Sequence, residues 1–217
     1  MRNALLGCGA LVACAVGASA ATAMDLEILD PQIAQAFAQA LCESADKIEG
    51  VKVKVDPDIE KSCGVFMQAE EPVGLIIVPH KDISPENEAA NSDPGGAVGH
   101  LFLSKGFAPV IDDKPIEESK MRTIKFAGQD GMEHEVNYLT LAARHTDDDV
   151  WHLYAYGSDE KPILDVQIGE GTGPGTQPLA LEVKDVEDNT GTAFVTFFDM
   201  FQCSFKLNYK PAGAAAN

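Results

Sequence analysis

The chain is poor in positive charge. Its 217 residues carry 16 Lys and Arg against 34 Asp and Glu, a formal net charge of −18. A surface of that sign repels nucleic acid and anionic membranes and cannot supply the cationic contacts that hold phosphates, so nucleic acid is excluded as a partner. Signatures of catalysis are missing too. There is no Gly-x-Ser-x-Gly elbow and no His-Glu-x-x-His helix, and His80, His100, His134, His145 and His152 are scattered along the chain. No two cysteines stand in a Cys-x-x-Cys pair, which removes the common redox and zinc-ribbon motifs. Past the N-terminal segment no apolar run reaches the roughly 20 residues that a transmembrane helix needs. These absences lean away from an enzyme and towards a protein that works by binding.

What is present begins at the N-terminus. Arg2 precedes an uncharged run from Ala4 to Gly17, followed by Ala18-Ser19-Ala20 and Ala21-Thr22-Ala23. A basic start, an apolar stretch too short to span a bilayer and an Ala-x-Ala site read as a cleaved secretory signal. It covers residues 1–20, with cleavage after Ala20 or Ala23, and the predicted address is periplasmic or extracellular. Leu11-Val12-Ala13-Cys14 offers an alternative. It has the form of a lipobox, and acylation of Cys14 would tether the protein to the envelope by a lipid anchor. Residues 24–210 are predicted to form a single β-rich domain, with 211–217 as a frayed tail.

Asp30-Pro31 opens the one convincing helix, with Asp as N-cap and Pro in the first turn. Ile33, Phe37, Leu41, Ser44 and Ile48 keep one predicted face, Ala34, Ala38 and Ala45 widen its apolar side with Cys42 at the margin, and Gly50 is its stop. Cys42, Cys63 and Cys203 lie beyond the signal, an odd count that in an oxidising compartment implies one bridge and one buried thiol. Cys203 alternates with Phe201, Phe205 and Leu207 and reads as core. Cys42 and Cys63 are therefore the predicted disulfide. Closing a loop of about 20 residues would stabilise the fold by about 3 kcal/mol.

The rest reads as strands: 65–69, 73–78, 100–103, 107–111, 122–127, 136–143, 150–156, 164–168, 179–186 and 193–209. Asp-, Gly- and Asn-rich turns separate them. The predicted class is mainly β, an antiparallel β-sandwich or open barrel with one N-terminal helix packed on it. Between strands, 82–97 is polar and small and is expected to be a mobile, solvated loop. Leu75-Ile76-Ile77-Val78 is apolar at successive positions, so both of its faces are expected to be covered.

One hairpin yields a register. A three-residue loop at Asp147-Asp148-Asp149 pairs Thr146 with Val150, which puts Leu139, Leu141 and Ala143 on one face with Trp151, Leu153 and Ala155. The opposite face presents Tyr138, Thr140 and Arg144 with His152, Tyr154 and Tyr156. That tyrosine-rich face is the candidate binding surface, with Tyr138, Arg144, His152, Tyr154 and Tyr156 as its residues. The bland alternative is that a second sheet packs there.

No cofactor is called for. Asp185-Val186-Glu187-Asp188-Asn189 alternates oxygen ligands, but Thr190 stands where an EF-hand loop needs Gly. Weak Ca2+ binding at this turn, at Asp56-Pro57-Asp58 or at Asp147-Asp148-Asp149 is the one cofactor left open. Gly169 to Gly175 lacks the Lys-Ser/Thr ending of a phosphate loop and leads into a strand. The expected function is an exported, non-enzymatic binding or structural protein whose partner is a protein, a glycan or an envelope component. Two alternatives stand beside it. One is a hydrolase pairing Glu133 or Glu135 with Asp165 or Glu182. The other is a carrier holding a hydrophobic ligand between helix and sheet.

Overall fold

Asp30 starts the helix as the sequence predicts. Its carboxylate accepts from the backbone N–H groups of Gln32 (2.9 Å) and Ile33 (3.4 Å), satisfying donors that the first turn leaves orphaned. In the computed structural model, which describes residues 26–67, 73–84, 86–128, 131–146, 149–171 and 177–210, helix α1 runs Pro31–Ala45. The buried face is Ala34, Ala38, Leu41, Cys42 and Ala45, while Ile33 is 47% exposed. This is the small-residue side of the predicted apolar face, and Ile33 is the member that turns away from it. Three alanines on the buried stripe leave nothing to hold the helix away from the sheet, so it settles on its small residues and turns Ile33 outward.

Thirteen strands follow in the described residues: β1 (Glu27–Ile28), β2 (Cys63–Met67), β3 (Val73–Pro79), β4 (Gly96–Ser104), β5 (Phe107–Ile111), β6 (Lys114–Pro115), β7 (Arg122–Ala127), β8 (Glu133–His145), β9 (Trp151–Tyr156), β10 (Leu164–Glu170), β11 (Leu179–Glu187), β12 (Thr190–Phe197) and β13 (Phe201–Tyr209). Every pairing among them is antiparallel, in the order β1-β2-β3-β4-β8-β9-β10-β13-β12-β11. The sheet curls until β11 packs beside β2 and β3, with Cys63 Sγ 3.6 Å from the Leu179 carbonyl. The predicted class therefore holds: mainly β, a nearly closed antiparallel barrel with one helix docked outside.

Two corners make the curl. At one, Gly106 takes φ +93° and a Cβ there would sit 2.4 Å from the Lys210 carbonyl, so only glycine turns β4 into β5. At the other, β10 pairs with β9 through Leu164 to Ile168 and then with β13 through Gly169 and Glu170. The barrel interior is filled by alternate side chains of both halves, among them Leu75, Ile77, Leu101, Leu139, Leu153, Phe107, Leu181, Val195, Phe205 and Leu207.

Among the described residues, only one half of the wall is covered on its outside. Over β3, β4, β7 and β8, α1 packs on Ile76, Val78, Phe102, Ile124, Phe126, Val136 and Tyr138. This supplies the second cover that Leu75-Ile76-Ile77-Val78 requires. The space between helix and sheet is occupied by these side chains. After the helix, Val53 and Val55 lie over Ala142, Tyr154 and Tyr156. Arg122 fastens this strap: Nη1 and Nη2 donate to the carbonyls of Glu49 (3.2 Å) and Gly50 (2.5 Å), and Nε donates to that of Gly157 (2.9 Å).

Three expectations need correction. Cys42 and Cys63 are not bridged; with Cys203, they are free thiols. The reason is pleat parity. Cys63 shares its face with Val65 and Met67, which point into the barrel, whereas Cys42 belongs to the helix on the other side of the sheet. Second, the single strand expected over 193–209 is a hairpin, turning at Phe198 (φ 50°) and Asp199 (φ 60°). Third, the segment expected to be a mobile loop is anchored. It forms a 3-10 turn at Glu88–Asn91, capped by the Asn87 side chain, with Ala90 buried. The predicted signal segment with Cys14, Ala20 and Ala23, the predicted turn at Glu70-Glu71-Pro72, Pro85, Asp147-Asp148, and residues 172–176 and 211–217 lie outside the described residues.

Candidate functional site

The hairpin register follows the three-residue loop. Arg144 pairs with His152, Ala142 with Tyr154 and Thr140 with Tyr156, and Thr146 N–H donates to the Val150 carbonyl at 2.8 Å. Strand β10 extends both rows, Gln167 opposite His152 and Asp165 opposite Tyr154. Alternation then sends the five predicted residues outward together, but the strap divides them. Tyr138 is sealed beneath α1, and Tyr154 and Tyr156 are buried under Val53 and Val55. The cover is a helix and an extended segment, not a second sheet, and the expected open tyrosine face is instead mostly interior.

What reaches the surface is the edge of that face. The Arg144 guanidinium lies 4.4 Å above the Tyr154 ring centre, and its Nη2 donates to the Tyr154 hydroxyl at 3.0 Å. On the next diagonal the His152 ring lies nearly parallel to Tyr154, with centroids 5.9 Å apart. A carboxylate only accepts, so His152 Nδ1 donates to Asp165 Oδ1 at 2.6 Å. Asp93 closes the other side: it meets Arg144 at 3.3 Å and Lys52 at 3.1 Å. The anchored loop also accepts the Tyr156 hydroxyl on the Pro94 carbonyl at 3.1 Å. Arg144, Tyr154, Tyr156 and His152 are therefore each held by a neighbour on a different element.

The charges follow from the packing. Burial works against the Arg144 charge, but the Tyr154 hydroxyl bond and the nearby Asp93 outweigh it and hold the guanidinium charged. Burial, reinforced by Asp93, pushes the Tyr156 hydroxyl up to about 12. Deeper in the same outer face, His100 lies against Phe102 and Tyr138, with ring centroids 5.6 and 5.7 Å away. Burial, with His80 nearby, lowers its imidazole to about 4. Neither His100 Nδ1 nor the Tyr138 hydroxyl has a hydrogen-bond partner among the described residues. Nothing in the sequence marks His100 except its place between apolar neighbours in β4.

No family model, curated protein or solved structure matches this chain. Its chemistry has to be read from the site alone. The thiols are poor nucleophiles, since burial raises Cys42 and Cys203 to about 12 and Cys63 to about 11. The carboxylates considered for hydrolysis are separated. Asp165 registers through Tyr154 with Ala142, and Glu135 lies seven residues further along β8, about 23 Å at strand rise. Glu182 on β11 is separated from Glu133 and Glu135 on β8 by β3 and β4 across the closing seam, about 14 Å at three strand spacings. Both separations exceed the span of roughly 10 Å over which paired carboxylates act on one glycosidic bond.

The acidic turns have structural roles. Asp56 meets Lys81 at 3.0 Å, Asp58 meets Lys61 at 3.1 Å, and Asp185, Asp188 and Asn189 take positive φ in the bend from β11 to β12. Among the described residues no three His, Cys, Asp or Glu side chains are grouped to hold a metal ion, and no helix is long and apolar enough to cross a membrane.

Proposed function

We propose that this chain is an exported binding protein, periplasmic or extracellular, whose recognition surface is formed by Arg144, His152 and Asp165, backed by the buried Tyr154, with Asp93 and Lys52 at its rim. The observation that supports this is preorganisation. Arg144 is stacked and hydrogen-bonded on a buried tyrosine, and His152 is fixed by Asp165, so ordering these side chains costs little when a partner arrives. Arg is also among the residues in which interface energy concentrates. The partner is a protein, a glycan or an envelope component. Export itself follows from the N-terminal signal, with acylated Cys14 as the tethered alternative.

The test is site-directed photocrosslinking in the native host, with the photoreactive residue at Arg144 or His152 and, as control, at Glu182 on the outside of β11. Discrete adducts at the first two positions and none at the third are the expected result; equal adducts at all three overturn it. The mature N-terminus, at Ala21 or Met24 or else at a diacylated Cys14, settles free against tethered. A second reading, hydrolysis, draws on the His152–Asp165 pair, in which Asp165 holds Nδ1 and orients the ring to serve as a base. Turnover on a hydrolase panel that His152→Ala abolishes would establish it and displace binding.

A further inference from the structure

The barrel wall has a gap beside the candidate site. If the pairing that begins at Glu170–Phe201 and Gly169–Gln202 continued, Ile168 would meet Cys203 and Gln167 would meet Ser204. Among the described residues it does not continue. From Lys206 onward that edge of β13 belongs to β5, which pairs Val110 with Lys206 and Phe107 with Tyr209. Strand β10 has meanwhile turned to β9. A wedge is left between β10 and β13, an open depression of about 520 Å³. Its walls are two strand edges, 165–168 and 203–205, that have no strand partner among the described residues on the sides facing each other.

Unpaired edges are templates for another chain, and natural proteins shorten, twist or charge them. Here the charge is of one sign. Asp165 and Glu170 line the wedge with Gln167 and Ser204, and no Lys, Arg or His does. Alternation places Asp165 and Gln167 outside, and Val166 and Ile168 towards the barrel interior. At the far end Ile111 closes β5 and is 37% exposed.

We infer that this wedge receives a short extended segment of a partner protein, laid along β10 as an added strand, with basic side chains outward and apolar side chains inward. Main-chain hydrogen bonds to the free edge give the affinity, and the alternating lining gives the preference for a Lys/apolar alternation. Asp165 belongs to both wedge and site, so the segment would pass directly beside His152. The inference rests on the reading of this chain as a binding protein and names the chemistry of its partner.

The experiment is an NMR titration of the mature chain with a blocked hexapeptide of alternating Lys and Val, and with its Glu/Val counterpart. The expected result is saturable shifts centred on the amides of 165–168 and 203–205, slowed hydrogen exchange there, and no saturation with the Glu/Val peptide. Glu170→Lys should weaken the Lys/Val peptide at least fivefold, and Gln167→Lys should do the same if the first variant does not fold. No saturation at millimolar peptide, shifts centred elsewhere, or equal binding of the Glu/Val peptide overturns the inference. Those outcomes leave the crosslinking at Arg144 and His152 untouched, whereas hydrolytic turnover would undo the binding reading without moving the titration.

Discussion

The two halves of the barrel wall solve the same problem differently. Strands β3, β4 and the 136–142 stretch of β8 are covered inside and out, and in β3 and β4 the sequence is nearly continuously apolar. Strands β11 to β13 are covered only inside, and theirs alternate: Phe205 and Leu207 are buried while Ser204 and Lys206 are exposed. A strand buried on both faces has no use for polar alternation, and one solvated outside requires it. The covered half also carries the buried polar groups His100, Thr140 and Tyr138 and the preorganised Arg144 row, so the functional proposal depends on the strap staying in place.

The comparison breaks first at Phe102. Its ring lies between α1 and the sheet, 2% exposed. Phe102→Ala should lower unfolding free energy by about 3–5 kcal/mol, measured by denaturant titration. A loss below 1 kcal/mol would show that the outer layer is loosely packed and that the continuous apolar pattern has another cause.

Acid should attack the same half. His100 is held near 4 in the fold against an ordinary value of 6.5, so it folds neutral, and between these values the unfolded chain binds the proton that the folded chain refuses. Its contribution is complete above pH 6.5 and is lost as pH falls towards 4, about 3 kcal/mol in all. His100→Phe, which keeps an aromatic ring beside Phe102 and Tyr138, should flatten this part of the stability–pH profile. An unchanged profile would assign the acid sensitivity to carboxylates.

Legibility divided along the same line. The hairpin at β8 and β9 could be read to the residue, because only one register keeps Leu139, Leu141 and Leu153 on one face. The same parity, applied to Cys63, separates it from the helix; nearness in sequence suggested a bridge that alternation forbids. Thiol alkylation tests this: a denatured, unreduced chain lacking residues 1–20 should take up label at Cys42, Cys63 and Cys203, and the native chain none at Cys42 or Cys203. The turn at Phe198 had no signal, since its positive φ falls on Phe-Asp with no Gly or Asn in the turn. The strap was hidden because Val53 and Val55 cover tyrosines about 100 positions later in the chain, a tertiary fact that no local pattern reports. The candidate site was half legible for that reason: Arg144 and His152 followed from register, while Asp93 came from the anchored loop and the fate of the tyrosines from the strap.

Arg144→Ala removes the stack on Tyr154, one hydrogen bond and the contact with Asp93 from a partly exposed position. Interactions of that kind stabilise by about 1 kcal/mol. Lysine should not restore the loss, because it lacks the planar guanidinium that lies on the ring. A cost above 3 kcal/mol would make Arg144 part of the covered core and count against its service as a recognition group.

A comparably small effect should come from Phe194, the counterpart of Phe102 on the bare half. It stands on the outside of β12, half-buried, with Lys184 Nζ 5.4 Å from its ring centre and no helix or strand of the described residues packed over it. Removing the ring forfeits an exposed cation–π contact, about 0.5–1 kcal/mol, and part of one side chain's burial. Phe194→Ala should therefore cost under about 1.5 kcal/mol by the same denaturant titration, well short of Phe102→Ala. Equal costs at the two phenylalanines would mean that the outside of β11 to β13 is covered as fully as that of β3 and β4, and the division of the wall into a dressed half and a bare half would fall.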